Sequence, residues 1–439
     1  MTVNENLIIN ARPTKDFFID MLVKDIKLTR AIIDLVDNCI DGAIRIRPDR
    51  NYKGLVVRVE ATPKRFRVAD NCGGISVELA RAYAFRFGRP ADMDLTPHSI
   101  GHVGVGMKRG LFKLGSRFRV ESTTETSHFV VEVDVNDWKM SEDWEFQFKE
   151  LEEDLTVPPE KCGSIISVVS LHESVAEDFG LENFLNGLRY EIRQAHQQTI
   201  DKGLIITLNG IPLESHPMEL LYSDELRPAF FEKEFTQKGG SVNVKVYAGI
   251  AQSTPAEAGW YIYCNGRMIM GADQTLTTGW GKGDGKTIPK YHNQFARFRG
   301  FTYFDSDDAG LLPWNTTKTG VDADSPIFRV VSLKMVTLMR PVINFLNKLD
   351  AEKDIKTDVR PLEKAVTTAR TASVAYVPTS STFMAPTPKP KPKLPKTGRI
   401  TYNKPVDQID KVKKVLKVTT YKEVGEKTFD YFYERECEE

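Results

Sequence analysis

The run from Arg30 to Ala43, R-A-I-I-D-L-V-D-N-C-I-D-G-A, constrains this chain more than any other stretch. On a 3.6-residue period, Ile33, Val36 and Ile40 form an apolar stripe, and Asp34, Asn38 and Asp41 or Asp37 fall on the polar face beside it. Three carboxylates and a carboxamide at one-turn spacing are costly in a dry core. They suit the wall of a pocket that holds a cation and an anionic ligand. An Asn carbonyl can serve a hard ion such as Mg2+, which takes about six oxygen ligands, several of them water or phosphate. Asp34, one turn upstream of Asn38, could then orient or deprotonate a water. The same spacing also fits an amphipathic surface helix with solvated acids, and the stretch alone leaves both readings open.

The chain has 439 residues, room for two or three domains. Its 60 basic and 60 acidic residues balance, so net charge argues neither for nor against nucleic acid. Five scattered cysteines without a C-x-x-C pair indicate neither a disulfide framework nor a zinc knuckle. The N-terminus has no basic region feeding an apolar run, and no run of about 18 apolar residues occurs. A cytoplasmic protein with reduced thiols and no membrane association is expected.

Two further stretches suit a nucleotide. Asp70-Asn71-Cys72-Gly73-Gly74-Ile75 follows strand-like residues, and Ser76 stands as a helix N-cap before Glu78 to Arg81. An Asp at a strand end, beside flexible backbone, can accept a hydrogen bond from an exocyclic amine such as that of adenine. The loop Gly101-His102-Val103-Gly104-Val105-Gly106-Met107-Lys108 exposes successive N–H groups ahead of a helix start, where phosphates are favoured, and Lys108 or Arg109 adds a point charge. It neither follows a strand nor has P-loop lysine spacing, so the two commonest nucleotide-binding motifs do not fit.

The remaining pattern predicts strands over 117–135 and 162–171, with a solvated acidic insert, Trp138 to Glu153, between them. A helix is expected from Phe179 to Gln198, and a second domain opening with Leu204 to Gly210. Further strands follow, then the polar loop Asn315 to Gly320 with Lys318, and a long helix from Ile327 to Ala351. The Thr-, Ser-, Pro- and Lys-rich stretch Ala369 to Arg399 reads as an extended tether.

The three stretches D-L-V-D-N-C-I-D-G-A, D-N-C-G-G-I and G-H-V-G-V-G-M-K, in that order, resemble the three motifs of the GHKL ATPases, the superfamily of gyrase B, the heat-shock chaperone, histidine kinases and MutL. A second domain with N-G-R and a later lysine loop resembles the transducer domain of the gyrase, MutL and MORC branch. The fold this implies is a two-layer α/β sandwich followed by a transducer-like α/β domain, a flexible linker and a small C-terminal module. The corresponding divisions are an N-terminal segment 1–20, an ATP-binding domain 21–200, a transducer-like domain 201–358, a Pro/Lys-rich linker 359–404 and a module 405–439.

Carried over by position, the resemblance gives Asn38 the Mg2+ that holds ATP, and Asp70, with Gly74 beside it, the adenine amine. Gly101, Gly104 and Gly106, with His102, Val103, Val105 and Met107 between and after them, enclose the phosphates, and Lys108 lies near them. Ser164 stands where the family has a threonine beside adenine, Asp41 joins the binding set, and Lys318 is similar to the lysine that reaches the γ-phosphate. The general base is usually Glu and here is Asp34, one methylene shorter. Cys72 replaces a glycine of the second motif, which is tolerable at negative φ.

By the same resemblance the activity is Mg2+-dependent ATP hydrolysis that closes a homodimeric clamp, with residues 1–20 as an exchange arm, and the shorter base Asp34 makes slow turnover the expectation. DNA, in genome maintenance or defence against foreign DNA, is the expected cargo, and the C-terminal module is the expected site for a protein partner. A chaperone-like or scaffold protein, or a nucleotide sensor that does not hydrolyse, remain the alternatives.

Overall fold

The computed structural model describes residues 13–24, 26–88, 97–101, 104–216, 218–237, 239–282, 288–353, 360–386 and 398–437. His102, Val103 and residues 1–12 therefore lie outside the described residues. By its contacts the chain divides into two units, Met1–Thr387 and Pro388–Glu439.

The first unit opens with helices α1 (Lys15–Lys24) and α2 (Leu28–Ile46) and the hairpin β1 (Val56–Thr62) and β2 (Arg65–Asp70). A short turn of helix, α3 (Val77–Leu79), runs into a π-helical turn over Ala80–Ala84, and Ser76 caps it by accepting the Leu79 N–H at 3.2 Å. Then come α4 (Gly106–Leu114), β3 (Gly115–Thr123), β4 (His128–Asp134), α5 (Val135–Met140), β5 (Phe148–Glu152) and β6 (Gly163–Leu171). Helices α6 (Glu173–Phe179) and α7 (Glu182–Asp201) lead to strands β7 (Ile205–Leu208) and β8 (Ile211–Pro212).

Among the described residues these strands form an eight-stranded sheet in the order β5-β4-β3-β6-β2-β1-β7-β8. Alternation decides its faces: Val57, Val59, Phe66 and Val68 are buried, while Arg58 and Arg65 point to solvent. One sheet face thus lies under the helices. On that side α2 packs against α4 and α7 and is buried nearly all round, including Asp34 and Asp37, which are 3% and 1% exposed. A helix enclosed in this way is no amphipathic surface helix.

Several expectations change here. Leu204 to Gly210 does not open the second domain, because β7 pairs parallel with β1 and completes the first sheet. The break at Gly180 and Leu181 divides the helical stretch expected over 179–198. The insert after Trp138 is not a solvated loop. Trp138, Trp144 and Phe146 pack with Phe18, Phe87 and Phe112, and β5 pairs with β4. Lys15 of α1 ties this cluster down, donating to the carbonyls of Trp138, Ser141 and Asp143 at 2.6 Å each. The described part of the expected exchange arm thus packs on its own chain. Aromatic stacking outweighs the acidic composition that suggested solvation.

The second domain contains β9 (Glu219–Tyr222), which lies outside its main sheet, and β10 (Ala229–Gln237), β11 (Gly240–Ile250), β12 (Gly259–Cys264), β13 (Arg267–Asp273) and β14 (Phe298–Asp305), which form it. Among the described residues the five strands of that sheet run β10-β11-β14-β12-β13, with β12 and β14 parallel, and the long helix α8 (Pro326–Lys353) packs on β11 and β14. Residues 360–386 are not a tether. They form α9 (Pro361–Thr368), with Leu362 and Val366 buried, and β15 (Arg370–Ser373), which pairs antiparallel with β9. A few well-spaced apolar residues (Val374, Val377 and Phe383 among them) suffice to dock a segment whose average composition is linker-like.

The second unit is described over 398–437. It contains α10 (Val406–Leu416) and α11 (Tyr421–Glu436), the latter started by a capping box between Thr420 and Glu423. Among its described apolar residues Val424 is buried, whereas Phe429, Tyr431 and Phe432 are more than half exposed.

Candidate nucleotide site

One cavity gathers residues from five separate stretches. Asp34, Asn38 and Asp41 come from α2, Asp70 and Gly74 from the end of β2 and the turn after it, and Ser164 from β6. Gly101, Gly104, Val105, Gly106, Met107 and Lys108 come from the glycine loop and α4, and Lys318 with Thr316 from the second domain. The described residues that the resemblance assigned to ATP therefore line one cavity, whereas Asp37 does not.

Its deep end is organised by Asp70. Oδ1 accepts the Cys72 N–H at 2.7 Å, and Oδ2 accepts a short hydrogen bond from the Ser164 hydroxyl. Gly73 and Gly74 take positive φ, +87° and +70°, while Cys72 does not, so the Cys-for-Gly replacement needs no strained backbone. Cys39 and Cys72 are buried beside Asp70; burial first, and the nearby carboxylate second, push both thiols above their ordinary range. They behave as small apolar walls.

Asp41 holds the glycine loop. Its two oxygens accept the backbone N–H groups of Ile100 and Gly101, at 2.6 and 2.8 Å. Burial pushes its carboxyl up to about 6, against the pull of those N–H groups and of Lys318. From the other side Asn265, the Asn of N-G-R, donates to the Ser99 carbonyl at 3.1 Å.

The basic residues are arranged less simply than the sequence suggested. Lys318 donates to Asp37 at 2.8 Å. Asp37 does not line the cavity. It sits behind it, 1% exposed, with Arg267 Nε at 3.0 Å and His196 Nε2 at 3.4 Å. Burial opposes the charge on Asp37, but Arg267 and then Lys318 hold it well below the usual carboxylate range. Burial likewise opposes the charge on Lys318, and Asp37, followed by Asp34 and Asp41, lifts it above its ordinary value. His196 lies within ion-pair distance of Asp37 yet stays neutral. Burial, together with Arg267, Lys318 and Arg30, outweighs Asp37 and lowers the ring to about 3.

Asp34, expected as a free base, is paired with the Arg109 guanidinium; the two are 3% and 8% exposed. Arg267, His196 and Asn265 are residues that the sequence did not single out for the site, and Arg109, in the K-R pair at the start of α4, was singled out only as an alternative to Lys108. The N-G-R triplet signalled Arg267 and Asn265. His196 carried no signal in α7.

Lys108 is 2% exposed. Its ammonium donates to the carbonyls of Ala84, at 2.9 Å, and Gly104, and burial lowers it to about 7. An unfolded lysine titrates near 10.4. Between about 7 and that value the unfolded chain holds a proton that the folded chain has released, so stability rises with pH across this window. We expect the wild type to gain about 2 kcal/mol relative to Lys108→Met between pH 7 and 9. Urea unfolding of both proteins at the two pH values measures this, and parallel behaviour would contradict it.

The cavity fits a metal–nucleotide. Among the described residues Asn38 Nδ2 and Arg109 Nε are buried without hydrogen-bond partners, as polar groups awaiting a ligand would be. Among the described residues no group of three or more His, Cys, Asp or Glu side chains is placed to hold a metal. A metal here would take one protein carboxamide, with phosphate and water supplying the remaining oxygens.

Residues 26–163 match the family model of the histidine kinase-, DNA gyrase B- and HSP90-like ATPases. The N-terminal mixed α/β domain is accordingly a GHKL-type ATP-binding domain. No curated protein matches the chain. Among the described residues no helix is long and apolar enough to cross a membrane.

Proposed function

We propose that this chain binds Mg2+-ATP in the cavity beside α2 and hydrolyses it slowly, using binding to close two copies into a clamp. The observation that supports this most is the convergence of Asn38, Asp70, the glycine loop and Lys318 on one cavity. Asp70 and the Ser164 hydroxyl take the adenine edge. The Asn38 carboxamide takes Mg2+, which would neutralise phosphate charge as transfer begins. The N–H groups at the start of α4 take the phosphates. Asp34 orients the attacking water, and Lys318 links the phosphate end to the second domain. Closure is then a population shift set by the difference in ATP affinity between open and closed forms.

Duplex DNA is our reading of what the clamp holds, on the strength of the branch it resembles. A second reading, a sensor that binds ATP without turning it over, is favoured by one observation: Asp34 is held by Arg109.

Turnover by the full chain with Mg2+, with and without duplex DNA, tests both. We expect turnover that DNA raises and that falls by about 100-fold in Asn38→Ala. Binding without turnover above the Asp34→Ala background would leave the sensor, and absence of ATP binding would remove the proposal.

A further inference from the structure

Among the described residues four cationic side chains line the cavity, and three of them have no donor left buried without an acceptor. Lys318 donates to Asp37 at 2.8 Å, Lys108 to two backbone carbonyls, and Arg45 to the Gly74 carbonyl. Arg109 differs. One terminal nitrogen bonds Asp34, while its Nε is buried and has no acceptor among the described residues. A buried guanidinium N–H left unpaired is unfavourable, and a planar, permanently charged fork suits a phosphoryl group better than an ammonium does.

Its place in the fold adds a reason. Arg109 stands one turn into α4, whose first residue, Gly106, neighbours the Asp34 carboxylate: a Cβ there would be in van der Waals contact with Oδ2, at 3.6 Å. The start of α4, Asp34 and Arg109 therefore surround one point, the end of the cavity where helix N–H groups favour an anion. A dianionic terminal phosphate entering there would compete with Asp34 for the guanidinium.

We propose that Arg109 reads the terminal phosphate: its guanidinium is held by Asp34 until a nucleoside triphosphate arrives and takes a share of it. This rests on the nucleotide reading given above and adds a discriminating residue to it. Arg109 supplies preference for triphosphate over diphosphate, and Asp34 is the internal competitor that weakens triphosphate binding until its carboxylate is released toward the water. The role of Asp34 as water-orienting group is thereby tied to occupancy of the phosphate end.

The test is calorimetric titration of the full chain, in Mg2+, with a non-hydrolysable ATP analogue and separately with ADP. Arg109→Gln should lose tenfold or more in affinity for the analogue while ADP changes less than twofold. Asp34→Asn, which removes the competitor, should bind the analogue threefold or more tightly with ADP again unchanged. A role confined to packing would lower both ligands in both variants. Because Arg109→Gln strands a buried carboxylate, the double variant Asp34→Asn/Arg109→Gln, which leaves a neutral pair, gives the same readout should the single variant fail to fold. Its loss should be confined to the analogue. Equal losses for the two ligands, or an unchanged ratio, would overturn the assignment of Arg109 while leaving the nucleotide site standing. A wild type that binds neither ligand would overturn the nucleotide reading and this inference with it.

Discussion

Asp37→Ala is expected to lower unfolding stability by about 3–5 kcal/mol, because it strands Lys318 and Arg267 as uncompensated buried charges. Asp37 receives Arg267 and Lys318 from the second domain and faces His196 on α7, so one carboxylate of α2 ties the two halves of the first unit together. Urea unfolding measures the loss. A second, earlier transition, as the halves part, is the expected form of the Asp37→Asn curve, in which shape is kept and charge is not.

The same cluster sets an acid limit. Asp37 is held below its unfolded value, so its contribution is present above pH about 4 and is lost as pH falls further. His196 acts in the same direction at higher pH. The unfolded ring takes a proton near 6.5 and the folded ring only at about 3, so stability falls as pH drops through that window. His196→Phe should flatten the decline between pH 6.5 and 4.5. An unaltered slope, or an Asp37→Ala protein within 1 kcal/mol of the wild type, would show that the cluster is not what holds the halves together.

Gly163→Ala is expected to abolish nucleotide binding, by 100-fold or more, and to destabilise the chain by about 3 kcal/mol. A Cβ at Gly163 would stand 2.0 Å from the Asp70 carbonyl oxygen, an overlap with backbone that no rotamer can relieve. Strands β2 and β6 would have to part at the point where the Ser164 hydroxyl meets Asp70. Ser164→Ala is the control: it removes the hydroxyl and keeps the strand spacing, so only a modest loss of affinity, near tenfold, should follow. Fluorescent-nucleotide titration beside thermal unfolding separates the two effects. Equal losses for Gly163→Ala and Ser164→Ala would mean that strand spacing at Asp70 contributes nothing.

The candidate site was largely legible before any fold was known, for a physical reason. A nucleotide needs an acceptor for its base, a metal ligand and N–H groups for its phosphates, and each requirement is met within a short local stretch. Asp34, Asn38, Asp70 and the glycine loop each carry their chemistry in the spacing of neighbours along the chain, as does the apolar stripe that buries α2. The strand alternation of β1, β2, β3 and β6 was equally local.

What the tertiary structure alone decided is which of these charged groups are free and which are spent on one another. Arg109 meets Asp34, and Arg267 and Lys318 meet Asp37 across more than two hundred residues, through contacts that no periodicity encodes. The assignment of β7 to the first sheet, the folding of 360–386 onto the second domain and the stacking of Trp138, Trp144 and Phe146 were hidden likewise. Composition averages over a segment, whereas burial depends on where its few apolar side chains find partners, and those partners come from distant parts of the chain.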